Sequence, residues 1–272
     1  MELRVSATGV TVFVAGGTSG INLGIAEGFA RAGARVAVMS RSQDKVDRAV
    51  ERLRALGSDA TGGAADVRDY EATAGVLKAV HNQFGDFDVL VSGAAGNFLA
   101  SGLGMSPNAF RAVVDIDLIG TYHVLRAAHP MLRKPGAVVI NISAPQSTMP
   151  MALQAHVCAA KAGVDMLTRV LALEWAKDGI RVNAIVPGAI ADTEGMARLA
   201  PTDEARNAAA RSVPLGRLGS VEDIADACKL LASPLAAYVT GVVLPVDGGW
   251  SLVGAGGAML ATSGPAGEPG AV

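Results

Sequence analysis

Cysteine is nearly missing from this chain: Cys158 and Cys228 are the only two in 272 residues. Both fall in stretches with helical patterning. The expectation is therefore reduced, partly buried thiols and no structural disulfide, as in a cytosolic protein. An excess of one charge is also missing, since 23 Lys and Arg against 25 Asp and Glu leave a net charge of −2. That balance excludes the broad basic face that nucleic acid or an acidic membrane requires. No apolar run is long enough for a membrane span, and the N-terminus leads into the first strand with no signal-peptide pattern. His81, His123 and His129 lack metal-ligand spacing, and no metal is expected. Tyrosine is scarce as well, at three residues, and none lies one helical turn before Lys161. The position four residues earlier, on the same helix face, is Val157.

Half of the residues are hydrophobic and 33 are glycine. Together with the length, this suits one α/β domain over 1–272 with a sizeable core and no internal repeat or linker. Strand and helix patterns alternate, as expected for a parallel sheet covered on both faces. Strands are read at Thr11–Val14, Arg35–Met39, Gly62–Asp66, Asp88–Val91, Ala137–Ile142, Ile180–Val186 and Val242–Val246. Helices are read from Leu23 to Ala32, from Ser42 as cap to about Leu56, and from Ser106-Pro107 to about Leu132. Others run from about Ala155 to Lys177 and from Ser220 as cap to Leu231. The fold class is a doubly wound parallel sheet of about seven strands in a three-layer α/β/α arrangement, a Rossmann fold. Residues 255–272, rich in Gly, Ala, Ser and Pro, read as a flexible tail.

The opening strand is followed by Ala15-Gly16-Gly17-Thr18-Ser19-Gly20-Ile21 and then by a helix. A strand, a glycine turn and a helix N-terminus make a phosphate-binding device, because backbone N–H groups and the helix dipole both favour an anion. At the end of the second strand stand Ser40 and Arg41. A carboxylate there would repel a 2′-phosphate, whereas a guanidinium offers it planar charged donors. The reading is NADP (NADPH), set against a plain solvated role for Arg41.

These landmarks, with Ala65-Asp66-Val67, Ala94-Ala95-Gly96, Lys161, Pro187-Gly188 and Val246-Asp247-Gly248-Gly249, resemble the short-chain dehydrogenase/reductase family from about Val10 to Trp250. Within it, four stretches are most similar to the peroxisomal-type 2,4-dienoyl-CoA reductases. They are Ala94 to Leu99, Asp115-Ile116-Asp117, Gly188 to Gly195 and Ser233 to Gly241. The resemblance implies cofactor contacts at Gly16, Thr18, Ser19, Gly20, Ile21, Ser40, Arg41, Asp66, Val67, Ala94, Ala95, Lys161, Pro187, Gly188, Ile190 and Thr193. Asp66 reads almost equally as a strand-end or helix-cap residue.

A ketone-reducing member of the family uses a tyrosine acid and a serine clamp. Their places here are Val157 and Ala144, with Ser143 one position early and on the other strand face. Lys161 is retained. Hydride addition to a dienoyl thioester creates a dienolate instead of an alkoxide, and protonation then falls on carbon. The resemblance implies that Asn97 donates to the thioester oxygen while Asp117 and Lys161 organise a proton relay. His156, about 140° from Lys161 around an α-helix, is expected on the substrate wall or at an interface.

Other departures from the family are Ala15 for threonine, Asn22 for the third glycine and Ser92-Gly93 for an Asn-Asn pair. A lid is expected over residues 192–213, where Arg198, Arg206 and Arg211 offer cations for CoA phosphates or simply a solvated face.

The expected activity is therefore NADPH-dependent reduction of 2,4-dienoyl-CoA to 3-enoyl-CoA. The rivals are reduction of another carbonyl or conjugated substrate, and an inactive NADP-binding regulatory or structural protein. Acyl-CoA is the expected substrate, and the resemblance implies a homo-oligomer, dimer or tetramer. Gly270-Ala271-Val272 is not a Ser-Lys-Leu address, so a cytoplasmic location is expected.

Overall fold

The seven strands are β1 (Thr11–Ala15), β2 (Arg35–Ser40), β3 (Ala60–Ala64), β4 (Val89–Ser92), β5 (Val138–Ile142), β6 (Arg181–Pro187) and β7 (Val243–Val246). In the computed structural model they form one sheet in the order β3-β2-β1-β4-β5-β6-β7, parallel throughout. The structure describes residues 5–253, except for the side chains of Glu194, Arg198 and Leu199. The tail expected over 255–272 lies outside the described residues.

Every residue of β1, β4 and β5 is buried. Such strands need apolar side chains on both faces, which is why they read as continuous Val, Ile and Leu runs. One side of the sheet packs Ile25, Phe29, Val46, Leu53, Ile224 and Cys228 from α1 (Gly20–Arg31), α2 (Gln43–Ala55) and α9 (Val221–Ala232). The other side packs Leu77, Val80, Val124, Leu125 and Leu171 from α3 (Tyr70–Phe84), α5 (Gly120–Ala128) and α6 (Ala155–Trp175). Strand order reverses between β1 and β4, which opens a crevice at the strand C-termini and fixes where a ligand binds.

Cys228 is fully buried and burial pushes its thiol pKa up, while Cys158 is half-buried. At α9 the sequence signal is fully realised, since Ser220 and Asp223 form a reciprocal capping box.

Two sequence expectations need correction. Ser42 occupies the N-cap position of α2 but its side chain makes no capping bond. The helix expected from Ser106 to Leu132 is not continuous. It consists of α4 (Pro107–Val114), a π-helical turn at Asp115–Ile119, α5, and a 3₁₀ turn at His129–Met131. The π turn lies where Asp117 is buried and where Thr121 Oγ1 donates to the Asp117 carbonyl at 2.7 Å. A hydroxyl competing for a helical carbonyl, together with a buried carboxylate held by another segment, accounts for the extra residue in that turn.

Candidate active site

The glycine turn is shaped by close approach. Gly16 has φ +79°, and a Cβ there would stand 2.9 Å from the Ala94 backbone nitrogen. A Cβ on Gly17 would meet a Val38 methyl at 2.8 Å and the Val14 carbonyl at 2.9 Å. Only glycine lets the backbone pass at these distances. Ser19, at the N-cap of α1, makes no side-chain capping bond, so the first helical N–H groups are left for an anion.

This turn forms one wall of a cleft of about 930 Å³. Gly16, Thr18, Ser19, Gly20, Ile21, Ser40, Arg41, Asp66, Val67, Ala94 and Ala95 all line it. So do Asn97, Asp117, Lys161, Pro187, Gly188, Ile190 and Thr193. The fold therefore brings together the residues named for the cofactor with Asn97, Asp117 and Lys161, whereas Arg206, Arg211 and His156 do not line the cleft.

Some of these residues are already engaged. Arg68 holds both Asp66 carboxylate oxygens, at 3.0 and 2.6 Å, and this ion pair lowers the Asp66 pKa below its ordinary value. The cap of α3 is Asp69, not Asp66. Thr193 caps α7 (Glu194–Leu199), accepting from Met196 N and donating to the Ile190 carbonyl.

The cleft also contains residues to which the sequence reading gave no role: Lys45, Met151, Gln154 and Trp250. Lys45 lies one helical turn beyond Arg41, a spacing that could have disclosed it as a second cation at the end of β2. The others depend on long-range packing and had no local signal.

The residues present fit a dinucleotide. Beside the glycine cradle and the uncapped helix start, the cleft holds buried polar atoms that accept or donate no hydrogen bond within the protein: Asn22 Oδ1, Ser92 Oγ of the adjoining β4 and Ser143 Oγ. Buried groups of this kind are normally satisfied, which points to a ligand or water completing them.

At the inner end, Lys161 is 5% exposed and Asp117 1%. Lys161 Nζ donates to the Ile142 carbonyl at 3.0 Å and stands 3.5 Å from Asp117 Oδ2. Asp117 Oδ1 accepts from Gly96 N at 2.7 Å, tying the π turn to the loop that carries Asn97. Burial raises the Asp117 pKa above the usual carboxylate range, against the opposing pull of the Lys161 charge and the Gly96 bond. Asn97 itself is exposed at the cleft. Val157 and Ala144 line the same cleft and offer no side-chain donor. Where a ketone-reducing relative has a carbonyl clamp and a phenolic acid, this cleft has Ala144 and Val157, beside the buried Asp117–Lys161 pair.

His156, expected on the substrate wall or at an interface, reaches neither the cleft lining nor the surface of the chain. It is fully buried, with the Phe98 ring tilted against it at 4.3 Å between ring centroids and Phe110 at 6.5 Å. Burial lowers its pKa below the ordinary imidazole value, partly offset by the Asp117 charge and the Phe98 backbone. Its place is behind the loop of Asn97 and Phe98.

The segment expected as a lid forms α7 and α8 (Asp203–Arg211), and places Met196, Ala200, Ala205 and Ala209 against the cleft. Arg206 is occupied locally, with its guanidinium on Ala200 O, Pro201 O and Asp203. It braces the connection between α7 and α8, whose cap is Thr202, and Arg211 is exposed. The Arg198 side chain lies outside the described residues.

A parallel sheet with this cradle and this inner pair defines a nicotinamide-dependent oxidoreductase. The family described as Enoyl-(Acyl carrier protein) reductase matches residues 15–251. A relative named peroxisomal 2,4-dienoyl-CoA reductase [(3E)-enoyl-CoA-producing] from Rattus norvegicus is 44% identical over 239 residues, covering 87% of this chain and 82% of that protein. The protein of the same name from Arabidopsis thaliana is 43% identical over 251 residues, covering 89% and 84%. Among solved structures, the Pseudomonas aeruginosa RhlG/NADP active-site complex superposes with a TM-score of 0.84 at 29% identity, covering 92% of this chain and all of that one. The chain belongs to the short-chain dehydrogenase/reductase family. Those relatives are named as peroxisomal; in this chain, no helix among the described residues is long and apolar enough to cross a membrane.

Proposed function

We propose that this protein is an NADPH-dependent reductase of 2,4-dienoyl-CoA thioesters that yields 3-enoyl-CoA. The observation that carries the reading is the buried Asp117–Lys161 pair beside Val157 and Ala144. A ketone reduced here would form an alkoxide with no tyrosine acid and no serine clamp beside it. A dienoyl thioester spreads the same charge along a dienolate to the thioester oxygen and takes its proton on carbon. The names of the rat and Arabidopsis relatives support the same substrate class.

When bound, the nicotinamide supplies hydride to the δ carbon. Asn97 donates its amide N–H to the thioester oxygen, where negative charge gathers. Lys161 has donors beyond the one given to Ile142 O, and these hold the ribose hydroxyls and keep positive charge near the dienolate. Asp117, with its raised pKa, passes a proton through water to the α carbon. The apolar residues of α7 and α8 limit water at the acyl group. The exposed Met166, Val170 and Leu173 on α6 support pairing of two copies of the chain.

The deciding assay compares 2,4-hexadienoyl-CoA with acetoacetyl-CoA. We expect NADPH oxidation with the dienoyl ester to exceed that with the 3-oxoacyl ester by about a hundredfold or more in kcat/KM. Comparable turnover of acetoacetyl-CoA would overturn the reading, and cofactor binding with no turnover of either would favour a binding protein.

The NADPH preference rests on Arg41 and Lys45, which both line the cleft near the end of β2. NADPH should bind at least about tenfold more tightly than NADH, or about 1.4 kcal/mol. In Arg41→Ala most of that gap should close through weaker NADPH binding alone, as read by titration of both cofactors. Equal affinities in the parent would remove Arg41 as a phosphate reader.

A further inference from the structure

Two of the departures noted in the sequence, Asn22 and Gly93, meet in space although 71 residues separate them. Asn22 Nδ2 donates to the Gly93 carbonyl at 2.7 Å. A Cβ at position 93 would lie 2.2 Å from Asn22 Oδ1 and 2.6 Å from both Cγ and Nδ2. No side chain at 93 can coexist with that amide in this position. The same amide reaches the glycine turn, since a Cβ on Gly16 would stand 3.2 Å from Asn22 Nδ2. Gly93 is held from the other direction as well, its N–H donating to the Ala15 carbonyl at 3.1 Å.

We propose that Asn22 is a positioning residue that locks the dinucleotide cradle to the loop Gly93–Asn97, filling from α1 the space that glycine leaves open at the end of β4. The residue expected to be an asparagine on the strand side has lost its side chain. An amide from the facing helix stands there instead, so the two departures are one compensated exchange. Both backbone groups of Gly93 are then fixed to the β1–α1 unit. Displacement of the cradle moves the start of the loop that presents Asn97 and that Asp117 holds at Gly96. Asn22 therefore acts on the cofactor site and the reacting end together, without touching substrate.

The test is a double-mutant cycle in the full chain with Asn22→Gly, Gly93→Ala and both. Three quantities are read: the NADPH Kd, with NADH in parallel; melting of the cofactor-free protein; and kcat on 2,4-hexadienoyl-CoA at saturating NADPH. Gly93→Ala should weaken NADPH about tenfold or more and lower kcat, because the methyl displaces the amide. Asn22→Gly should weaken NADPH about fivefold through loss of the hydrogen bond and of the packed amide. In the double variant, alanine at 93 should cost about twofold or less beyond Asn22→Gly.

Additive losses would overturn the proposal, as would a change in melting with Kd and kcat unmoved. If Gly93→Ala does not fold, Asn22→Asp serves, since it keeps the shape but faces the Gly93 carbonyl with a carboxylate oxygen. That variant should also weaken NADPH about tenfold; parental affinity and kcat would overturn the lock. The affinity and melting cycles need no acyl substrate, so their outcome is separate from that of the dienoyl-CoA reading.

Discussion

Lys161→Met is expected to lower kcat/KM for 2,4-hexadienoyl-CoA by about a thousandfold and to weaken NADPH binding in the same variant. Methionine keeps an unbranched side chain of similar volume in α6, so the loss reads the ammonium. That group makes the 3.0 Å bond to Ile142 O and stands 3.5 Å from Asp117, with both side chains almost fully buried. Its removal also strands a buried carboxyl. Breaking a buried pair from one side costs about 3–5 kcal/mol when the remaining charge must stay ionised.

The cost therefore depends on pH, and its sign follows from Asp117. Burial already raises the Asp117 pKa in the parent, and loss of Lys161 removes the main charge that opposes the shift. A group whose pKa is raised on folding favours the folded state at low pH and loses that advantage as pH rises through the folded value. Lys161→Met should therefore melt near the parent temperature in mild acid and fall increasingly below it toward neutral and alkaline pH. Asp117→Asn in the same chain should remove that slope. A pH-independent melting deficit would mean that Lys161 supports the fold by packing rather than by charge. Retained NADPH affinity would remove its ribose contact.

How far the sequence disclosed this arrangement varied with the range of the interactions. β1, β4 and β5 were legible because strands buried on both faces must be apolar throughout, and that pattern is local. The cradle was legible because its glycines lie together between a strand and a helix, although the contacts that exclude a side chain at Gly16 and Gly17, with Ala94 and Val38, are long-range. Ser220 announced α9 through a capping box that closes within four residues.

The π turn at Asp115–Ile119 was not legible. It depends on a carboxylate meeting Gly96 N from 21 residues away, and nothing in the period of 107–128 records that. His156 was misplaced for a related reason. Helical periodicity turns it away from Lys161, but the segment that covers it is the loop of Phe98, whose path has no periodicity. The meaning of Asn22 was hidden until Gly93 was seen beside it, because neither residue alone breaks a local rule.

Asp117→Asn is expected to lower kcat about a hundredfold while leaving the NADPH Kd within about twofold of the parent. The choice of asparagine matters because it separates the observed bond of Asp117 to Gly96 from its proposed proton transfer. Its Oδ1 accepts from Gly96 N at 2.7 Å, and an amide oxygen can still do so, which keeps the Asn97 loop in place. What asparagine cannot do is exchange a proton. Asp117→Ala should therefore be worse than Asp117→Asn, with an added rise in KM as the loop loses its anchor.

The pH profile gives the sharper reading. A carboxyl that must be protonated to pass its proton onward makes kcat fall as pH rises through its pKa, and burial places that limb above the usual carboxylate range. In Asp117→Asn the limb should vanish and a low, flat rate should remain. Full activity with the parental profile would make Asp117 a structural acceptor for Gly96 and send the relay elsewhere. His156 is poorly placed to take it over, since its ring is enclosed behind Phe98 and its pKa is lowered, so it is neutral at neutral pH. Ser143 Oγ, in the cleft and without a protein partner, would then be the group to substitute next.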